Sequence, residues 1–537
     1  MPVYLTFYDG IDCIGGNKFL LEADDTALLL DFGTNFGAEG LFFDEFLRPR
    51  SITGLCDLLD LGLLPPLRGI YRKDLELPER AWWERIKSRP FYRELEAHGV
   101  LLSHAHIDHS GYISFLDRDI PVYTGLTTAV IAKAMQDTTR SGFERETCYI
   151  APREIKDGLL QTTHWKKAPY EQRRYVIMDA GEVNPHAADF WAMSGSSRAI
   201  DPCPLETCRT AEVQVGNLLV KRWPVDHSIP GAGAFGIRTS VGWIIYTGDM
   251  RLHGRRAADT RTFMQEAARL EPFVLICEGT HPETETPVTE DEVYTRAAET
   301  VRQAEGLVIA DFGPRNIERL LSFLRAAGEA GRRLVVTLKD AYLLEALHAA
   351  GEPDVPSPLE DEGFALYVEA KTRRDVWEKV LIERYQERCR DRVVTAHDVS
   401  RNQGDYVLCF SYYDLHELID IQPSGGTYIY SSSEAFNEEM HMDLDRLRNW
   451  ISHFNLRLAG DPGDREGRGR EPGFHASGHI HGPGLVELVE TIKPRVLIPV
   501  HTENRRFFKK HFAGKLRLLF PGPGETIQLD GSLLNVG

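Results

Sequence analysis

The chain is poor in cysteine. Its 537 residues include only 8, at Cys13, Cys56, Cys148, Cys203, Cys208, Cys277, Cys389 and Cys409, with no CxxC pair, which excludes a disulfide framework and a thiolate zinc knuckle. Any metal must therefore be held by histidine and carboxylate. Long apolar runs are missing too: Phe273 to Cys277 and Val496 to Val500 are strand-sized, far below the roughly 20 residues of a membrane span. No segment is expected to cross a bilayer. The start, Met1-Pro2-Val3-Tyr4-Leu5-Thr6, has no basic stretch leading into an apolar core and cleavage site, so a cytoplasmic protein is expected. Positive charge is short as well. The 62 Lys and Arg face 80 Asp and Glu, a net charge of -18, which argues against a broad electrostatic grip on nucleic acid. If nucleic acid is the substrate, the basic residues that hold it must be locally concentrated.

What remains is an ordinary globular composition, 42% apolar and 26% charged with 46 Gly and 29 Pro, at a length that suggests roughly two to four domains. Short apolar runs repeatedly end in polar clusters: Ala27 to Leu30 before Asp31, Val100 to Leu102 before a histidine cluster, Trp243 to Tyr246 before Asp249, Val274 to Cys277 before Glu278, and Val496 to Val500 before His501. These read as buried strands that deliver polar side chains at their ends. Between about 286 and 470 the pattern changes to βα alternation, with strands expected at Gly306 to Ala310, Leu334 to Thr337, Tyr406 to Phe410 and Thr427 to Tyr430. Helices are expected at Arg315 to Ala327, with Ile317, Leu320, Leu321 and Leu324 facing inward, and at Ala341 to Ala350. Asp461 to Pro472 is charged and Gly-rich, as an exposed linker or mobile loop would be. The expectation is an α/β domain over 286–470, inserted into a first domain that occupies 1–285 and returns at 471–537. Segments 38–95 and 136–210 lengthen the first domain without revealing a role.

His104-Ala-His106-Ile-Asp108-His109 packs three imidazoles and a carboxylate into six residues after a predicted strand. This HxHxDH pattern lets His104 and His106 face one metal ion and Asp108 and His109 a neighbouring one. Two metals with an open position need further ligands. Candidates are His227 in Asp226-His227-Ser228-Ile229-Pro230-Gly231, Asp249 in Tyr246-Thr247-Gly248-Asp249, and His501 in Ile498-Pro499-Val500-His501. Each follows a strand-like run. Any one of them alone reads as a satisfied polar residue; together they read as a binding set.

This order of motifs resembles the metallo-β-lactamase superfamily, and Leu30-Asp31-Phe32-Gly33 matches its first motif. The resemblance implies an αββα sandwich and two Zn2+, with Mn2+ also open because these donors accept several divalent ions. It places His104, His106 and His227 on one ion, Asp108, His109 and His501 on the other, and Asp249 between them. Asp31 would stand behind the ligands and orient an imidazole; a turn aspartate is the plain alternative. Glu278 in Cys277-Glu278-Gly279-Thr280, His479 in Ala476-Ser477-Gly478-His479, and His501 look like the extra motifs of the β-CASP branch. The phrases DHSIPGA, TGDM, ASGH and IPVH are similar to those of ribonuclease J. In that family a His at the position of His501 accompanies RNA substrates.

The implied activity is metal-dependent hydrolysis of RNA, exonucleolytic, endonucleolytic or both, with catalysis resting on Asp108, His479 and Glu278. His479 would contact the scissile phosphate and protonate the leaving oxygen. Ser477, Gly478, Ser431, Ser432 and Ser433 are candidates for holding a phosphate, as are Arg315 and Asn316 at a predicted helix start; turn and first-turn chemistry explains the same residues. The segment between Asp31 and His104 is long for the family, and ribonuclease J usually carries a further C-terminal domain, which leaves substrate choice and oligomer, including a homodimer, open. DNA cleavage, small-molecule hydrolysis and an inactive scaffold are the competing readings. His501 disfavours the first, the large insertion the second, and the complete ligand set the third.

Overall fold

The computed structural model describes residues 2–44, 46–77, 81–139, 142–433, 438–464 and 467–530. The chain divides into two compact units, one of Met1–Leu252, Arg256–Glu285 and His479–Gly537, the other of His253–Arg255 and Thr286–Gly478.

The first unit is built on two sheets. One has eight strands, ordered Glu206–Thr207, Tyr175–Ile177, Val122–Thr124, Gly99–Leu101, Thr26–Leu30, Lys18–Ala23, Val3–Asp9 and Glu525–Leu529. The other has seven, ordered Glu212–Val215, Leu218–Pro224, Gly233–Thr239, Gly242–Tyr246, Val274–Glu278, Val496–Val500 and Arg517–Leu518. Their inner faces share one core, in which Leu5, Phe7, Phe19, Leu28 and Leu30 of the first sheet meet Val220, Phe235, Ile237, Ile276 and Ile498 of the second. Full burial of such side chains stabilises by roughly 1.5–3 kcal/mol each. The outer face of the second sheet is covered by helices Ala257–Arg269, Gly482–Ile492 and Arg505–Phe512, whose Phe263, Leu485, Leu488 and Phe508 pack on Ile245, Leu275 and Leu497. Helix Leu126–Asp137 buries Ala129, Val130 and Ile131. The two long segments with no sequence-level role are tied to each other by the buried Arg72, which donates to Asp74 at 2.8 Å and to Glu146 at 2.7 Å.

Strand direction decides where polar side chains gather. Leu218–Pro224 and Gly242–Tyr246 are both antiparallel to Gly233–Thr239, and Gly242–Tyr246, Val274–Glu278 and Val496–Val500 are mutually parallel. All four therefore end at one edge. In the other sheet Thr26–Leu30 runs parallel to Gly99–Leu101. His227, Asp249, Glu278, His501, Asp31 and His104 lie at or just beyond these ends.

The second unit is a seven-stranded sheet, ordered Val393–Val394, Phe364–Tyr367, Arg333–Val336, Tyr406–Leu408, Leu307–Asp311, Gly426–Tyr430 and Leu456–Ala459. Every neighbouring pair is parallel. Leu307–Asp311 and Gly426–Tyr430 are adjacent, yet the chain leaves the first toward Arg333–Val336 and the second toward Leu456–Ala459, on opposite sides. Their carboxyl ends thus form a topological switch point, the place where open parallel sheets bind ligands.

One local expectation is narrowed and another corrected. Of the two readings of the charged stretch 461–472 the structure takes the loop, mostly exposed where described, and not the linker: it lies inside the second unit, its base fastened by Arg448 to Asp461 at 2.7 Å and by the Gly460 amide to Glu471 at 2.8 Å, and the first unit resumes at His479; residues 465–466 are outside the described residues. The helix expected from Arg315 begins at Ile317 and buries Arg319, Ser322, Phe323, Ala326 and Ala327 beside Ile317 and Leu320, leaving Leu321 and Leu324 half-buried. A buried arginine rotated that face, which hydrophobic periodicity alone does not foresee.

Candidate metal centre

His104 and His106 follow the strand Gly99–Leu101, His106 with extended backbone, and a single helical turn, Ile107–Ser110, then carries Asp108 and His109. That turn is held from below by the segment after Asp31. The Phe32 amide donates to the His109 carbonyl at 2.9 Å and the Thr34 amide to the Ile107 carbonyl at 3.0 Å. Gly33 permits the approach, because a Cβ there would lie 1.7 Å from the Asp108 carbonyl oxygen. Asp31 and His501 both end their strands with a left-handed backbone, φ 53 and 50, an uncommon conformation for residues other than glycine and one that accumulates at functional sites.

Two donor groups result, His104 with His106 and His227, and Asp108 with His109, Asp249 and His501, each set within 4.8 Å. In the first, His106 Nδ1 faces His104 Nε2 at 3.0 Å and His227 Nε2 at 3.1 Å. In the second, Asp108 Oδ2 lies 3.3 Å from His501 Nε2 and 3.8 Å from His109 Nε2. Asp249 Oδ2 reaches both, at 3.0 Å from His109 Nε2, 3.7 Å from His501 Nε2 and 3.8 Å from His104 Nε2. The donors suit zinc: ligand nitrogens on a tetrahedral zinc stand about 3.3–3.4 Å apart when Zn–N is about 2.0–2.1 Å. Asp249 Oδ1 is moreover buried without a hydrogen-bond partner, an expensive state for a polar atom unless an ion takes it up.

The groups behind these donors fix their orientation. Asp31, fully buried, accepts from His109 Nδ1 at 2.7 Å, from the Ser103 amide and hydroxyl at 2.7 Å, and from the Tyr246 hydroxyl at 2.5 Å. With Nδ1 so engaged, His109 turns Nε2 toward Asp249. The loop that carries His227 is anchored by the buried pair Arg251 and Asp226 at 3.1 Å. Thr280 places its hydroxyl 2.9 Å from His501 Nδ1, 3.1 Å from His479 Nδ1 and 2.9 Å from Glu278 Oε2. Glu278, the last residue of its strand, accepts the Met250 amide at 2.6 Å and faces His479 Nδ1 at 2.9 Å. His479 is half-buried, as are His106 and Asp108, so these three mark the open side. Asp31→Asn, which keeps the shape but weakens the acceptor, is expected to lower metal affinity roughly 10–100-fold with the fold intact. Competition against a chelating dye measures this, and an unchanged affinity would remove Asp31 from the role.

Charge is divided unevenly in the centre. Burial, reinforced by His109, His227 and His106, drives the His104 imidazole well below its ordinary range. Burial opposes charge on His109 too, yet the carboxylates of Asp249, Asp108 and Asp31 hold its pKa well above the usual value. Burial works against the charged forms of Asp108 and Asp249 as well, but the facing His109 and His501 outweigh it and both fall below the carboxylate range. His479 is pushed up to about 9 by Glu278 and Asp249, against the effect of its burial.

Sequence reasoning missed Ser103, Tyr246, Thr280, Arg251 and His281. Thr280 directly follows the Glu278-Gly279 pair, but a lone threonine carries no signal of its own. His281, exposed, sets its ring edge-on to His479 with centroids 5.8 Å apart.

The remaining candidates lie in the second unit, at or near the switch point. Ser432 and Ser433 follow strand Gly426–Tyr430; Ser432 donates to Asp311 Oδ1 at 3.2 Å, and Ser433 is exposed. Burial raises the Asp311 carboxyl to about 6. Ser431 departs from the expectation, being 1% exposed with its hydroxyl directed to the Phe474 carbonyl and to Arg319. Asn316 caps its helix, its side-chain oxygen accepting the Arg319 amide at 3.1 Å. Arg315 is half-buried beside it, and Ser477 and Gly478 end the second unit.

Two facing sheets covered by helices, a histidine and carboxylate centre at their strand ends, and an α/β domain inserted in the sequence define the metallo-β-lactamase αββα sandwich with a β-CASP domain. Residues 473–516 match the family described as the Zn-dependent metallo-hydrolase RNA specificity domain. The chain is 23% identical over 505 residues to ribonuclease J of Sinorhizobium meliloti, covering 88% of this chain and 70% of that protein. With ribonuclease J of Helicobacter pylori the identity is 20% over 543 residues, covering 100% of this chain and 61% of the relative. With that of Mycolicibacterium smegmatis it is 26% over 309 residues, covering 56% and 50%. The chain thus spans between 50% and 70% of the length of these relatives. A crystal structure of a protein of unknown function from Enterococcus faecalis V583 superposes with a TM-score of 0.64 at 21% identity, covering 98% of this chain and 100% of that one. The chain is thus similar to ribonuclease J proteins along its length and to the metallo-hydrolase RNA specificity domain over residues 473–516. Among the described residues no helix is long and apolar enough to cross a membrane.

Proposed function

We propose that this chain hydrolyses RNA phosphodiester bonds with two zinc ions, as a 5′–3′ exonuclease, an endonuclease or both, in RNA processing or decay in the cytoplasm. The observation that carries the reading is the convergence of His104, His106, His227, Asp108, His109, Asp249 and His501 into two donor groups that meet at Asp249, in a chain whose residues 473–516 match an RNA specificity domain. When bound, a zinc pair supplies a nucleophile at neutral pH and counters the charge that builds on a phosphodiester.

The side chains divide the remaining work. His104, His106 and His227 would hold one ion and Asp108, His109 and His501 the other, with Asp249 available to both. Asp31 and Thr280 keep the rings of His109 and His501 turned so that Nε2 faces inward. Glu278 holds His479 through Nδ1, which leaves Nε2 to meet the scissile phosphate and to give a proton to the leaving oxygen. Ser432, Ser433, Ser477 and Gly478, with Arg315 beside the helix start, hold phosphate in the second unit. Ser431 and Asn316 support that site from behind.

Digestion of 5′-monophosphorylated RNA, 5′-hydroxyl RNA and matched DNA by zinc-loaded and manganese-loaded protein tests the reading. Mononucleotides from the monophosphorylated RNA alone identify a 5′-end-dependent exonuclease, and internal fragments from both RNAs an endonuclease. Cleavage of DNA in preference to RNA, or of neither, would refute it.

A further inference from the structure

Arg319 is an arginine on the inner face of its helix, 0% exposed. Its planar fork is used on every side. Nε and Nη2 straddle the buried Glu290 carboxylate at 3.0 and 3.1 Å. Nη1 donates to the Ser431 carbonyl, to the Ser431 hydroxyl at 2.6 Å and to the Phe474 carbonyl at 3.2 Å, while Nη2 also lies 3.5 Å from the Ala476 carbonyl. The Ser431 hydroxyl in turn donates to the Phe474 carbonyl. One guanidinium therefore grips the residue before Ser432 and Ser433 and the residue before Ser477 and Gly478, and all of these groups belong to the second unit.

A buried ion pair contributes little net stability, since desolvation offsets most of the attraction; a well-packed apolar pair of the same volume commonly does as well. What the fork supplies is geometry. Five N–H donors in a fixed plane set the distance and angle between two backbone segments in a way that neither a leucine nor the single ammonium of lysine reproduces. We propose that Arg319, oriented by Glu290, is the positioning residue that holds the 432–433 and 477–478 segments at the spacing needed to grip an RNA phosphate. It acts through those segments without touching the phosphate. This rests on the reading of the chain as an RNA hydrolase and adds to it the residue that shapes its phosphate site.

The test compares full-length, zinc-loaded wild type with Arg319→Lys and Glu290→Gln on a 5′-monophosphorylated RNA oligomer and on bis(p-nitrophenyl) phosphate, a diester too small to need a second grip. Bound zinc and thermal midpoint are measured for each protein. Arg319→Lys is expected to raise KM for RNA roughly tenfold or more, the scale of a lost charged hydrogen bond, while kcat changes less than about threefold. Zinc content and hydrolysis of the small diester stay at wild-type levels. Glu290→Gln moves KM the same way by less, and decides the matter by the same criteria should Arg319→Lys fail to fold. A folded variant with wild-type KM overturns the inference and leaves RNA hydrolysis standing. Losses that strike KM, kcat and the small diester together, in step with the thermal midpoint, also overturn it, because they mark Arg319 as a stabilising residue only. A wild type that splits the small diester but no RNA overturns the functional reading itself, a result that needs no variant.

Discussion

Asp249→Asn is expected to abolish RNA hydrolysis and to leave the centre unable to retain two metal ions. The substitution keeps size and shape but removes the one anion that both donor groups share. Asp249 is 1% exposed, and its Oδ2 lies within 3.8 Å of nitrogens from His104, His109, His479 and His501. Without its charge the His104 group has imidazoles but no anionic donor for a divalent ion, and the carboxylate it shares with the His109 group is gone. Losing a supporting partner of a metal ligand costs roughly 10–100-fold; loss of a ligand common to two ions should cost about 10³-fold or more in kcat/KM, with bound zinc falling below the wild-type count. Elemental analysis of purified protein together with a digestion time course measures both. His104→Ala should act in the same direction. A variant that keeps two zinc ions and the wild-type rate would mean that the ions, if required at all, are held elsewhere.

His479→Ala is expected to show the opposite pattern, metal retained and chemistry lost. His479 faces Glu278 at 2.9 Å but stays 3.8 Å from Asp249, and its half-buried ring is on the open side of the centre. If it delivers a proton to the leaving oxygen, removing it should lower kcat on RNA roughly 10²–10⁴-fold, the usual scale of a general acid. An activated diester that expels p-nitrophenolate needs no such proton, so its hydrolysis should fall far less. Glu278→Gln should give a smaller loss of the same kind, because the amide still accepts a hydrogen bond while its charge is gone. Since Asp249, Glu278, His479 and His501 also form a group that can hold an ion, the zinc count is the discriminating number. Loss of zinc in His479→Ala would make His479 a ligand, and equal losses on both substrates would remove the proton-donor role.

The polar clusters after short apolar runs are legible in the sequence because strand burial and strand termination are local properties. A run such as Val496–Val500 has to be buried, and a histidine directly after it has to emerge at a sheet edge. HxHxDH is legible for the same reason, since four donors in six residues leave the backbone few ways to separate them. The inserted βα alternation shows itself by its period. The inner face of helix Ile317–Glu329 does not, because periodicity assigns burial to leucines and has no means of recognising an arginine whose partners, Glu290, Ser431 and Phe474, are far away in sequence.

By itself, then, the amino-acid sequence determined the strands that end in polar clusters and the histidine and carboxylate donor types, both of which follow from residue chemistry over a few positions. Only the tertiary structure decided that Asp249 joins two groups of imidazoles, that Asp31 serves His109 rather than another ring, that Thr280 sits among Glu278, His479 and His501, and that Ser431 turns inward. Those outcomes depend on strand order, parallel register and the shared edge where the strands end. Each brings together residues from tens to hundreds of positions apart, and no local pattern encodes such distances.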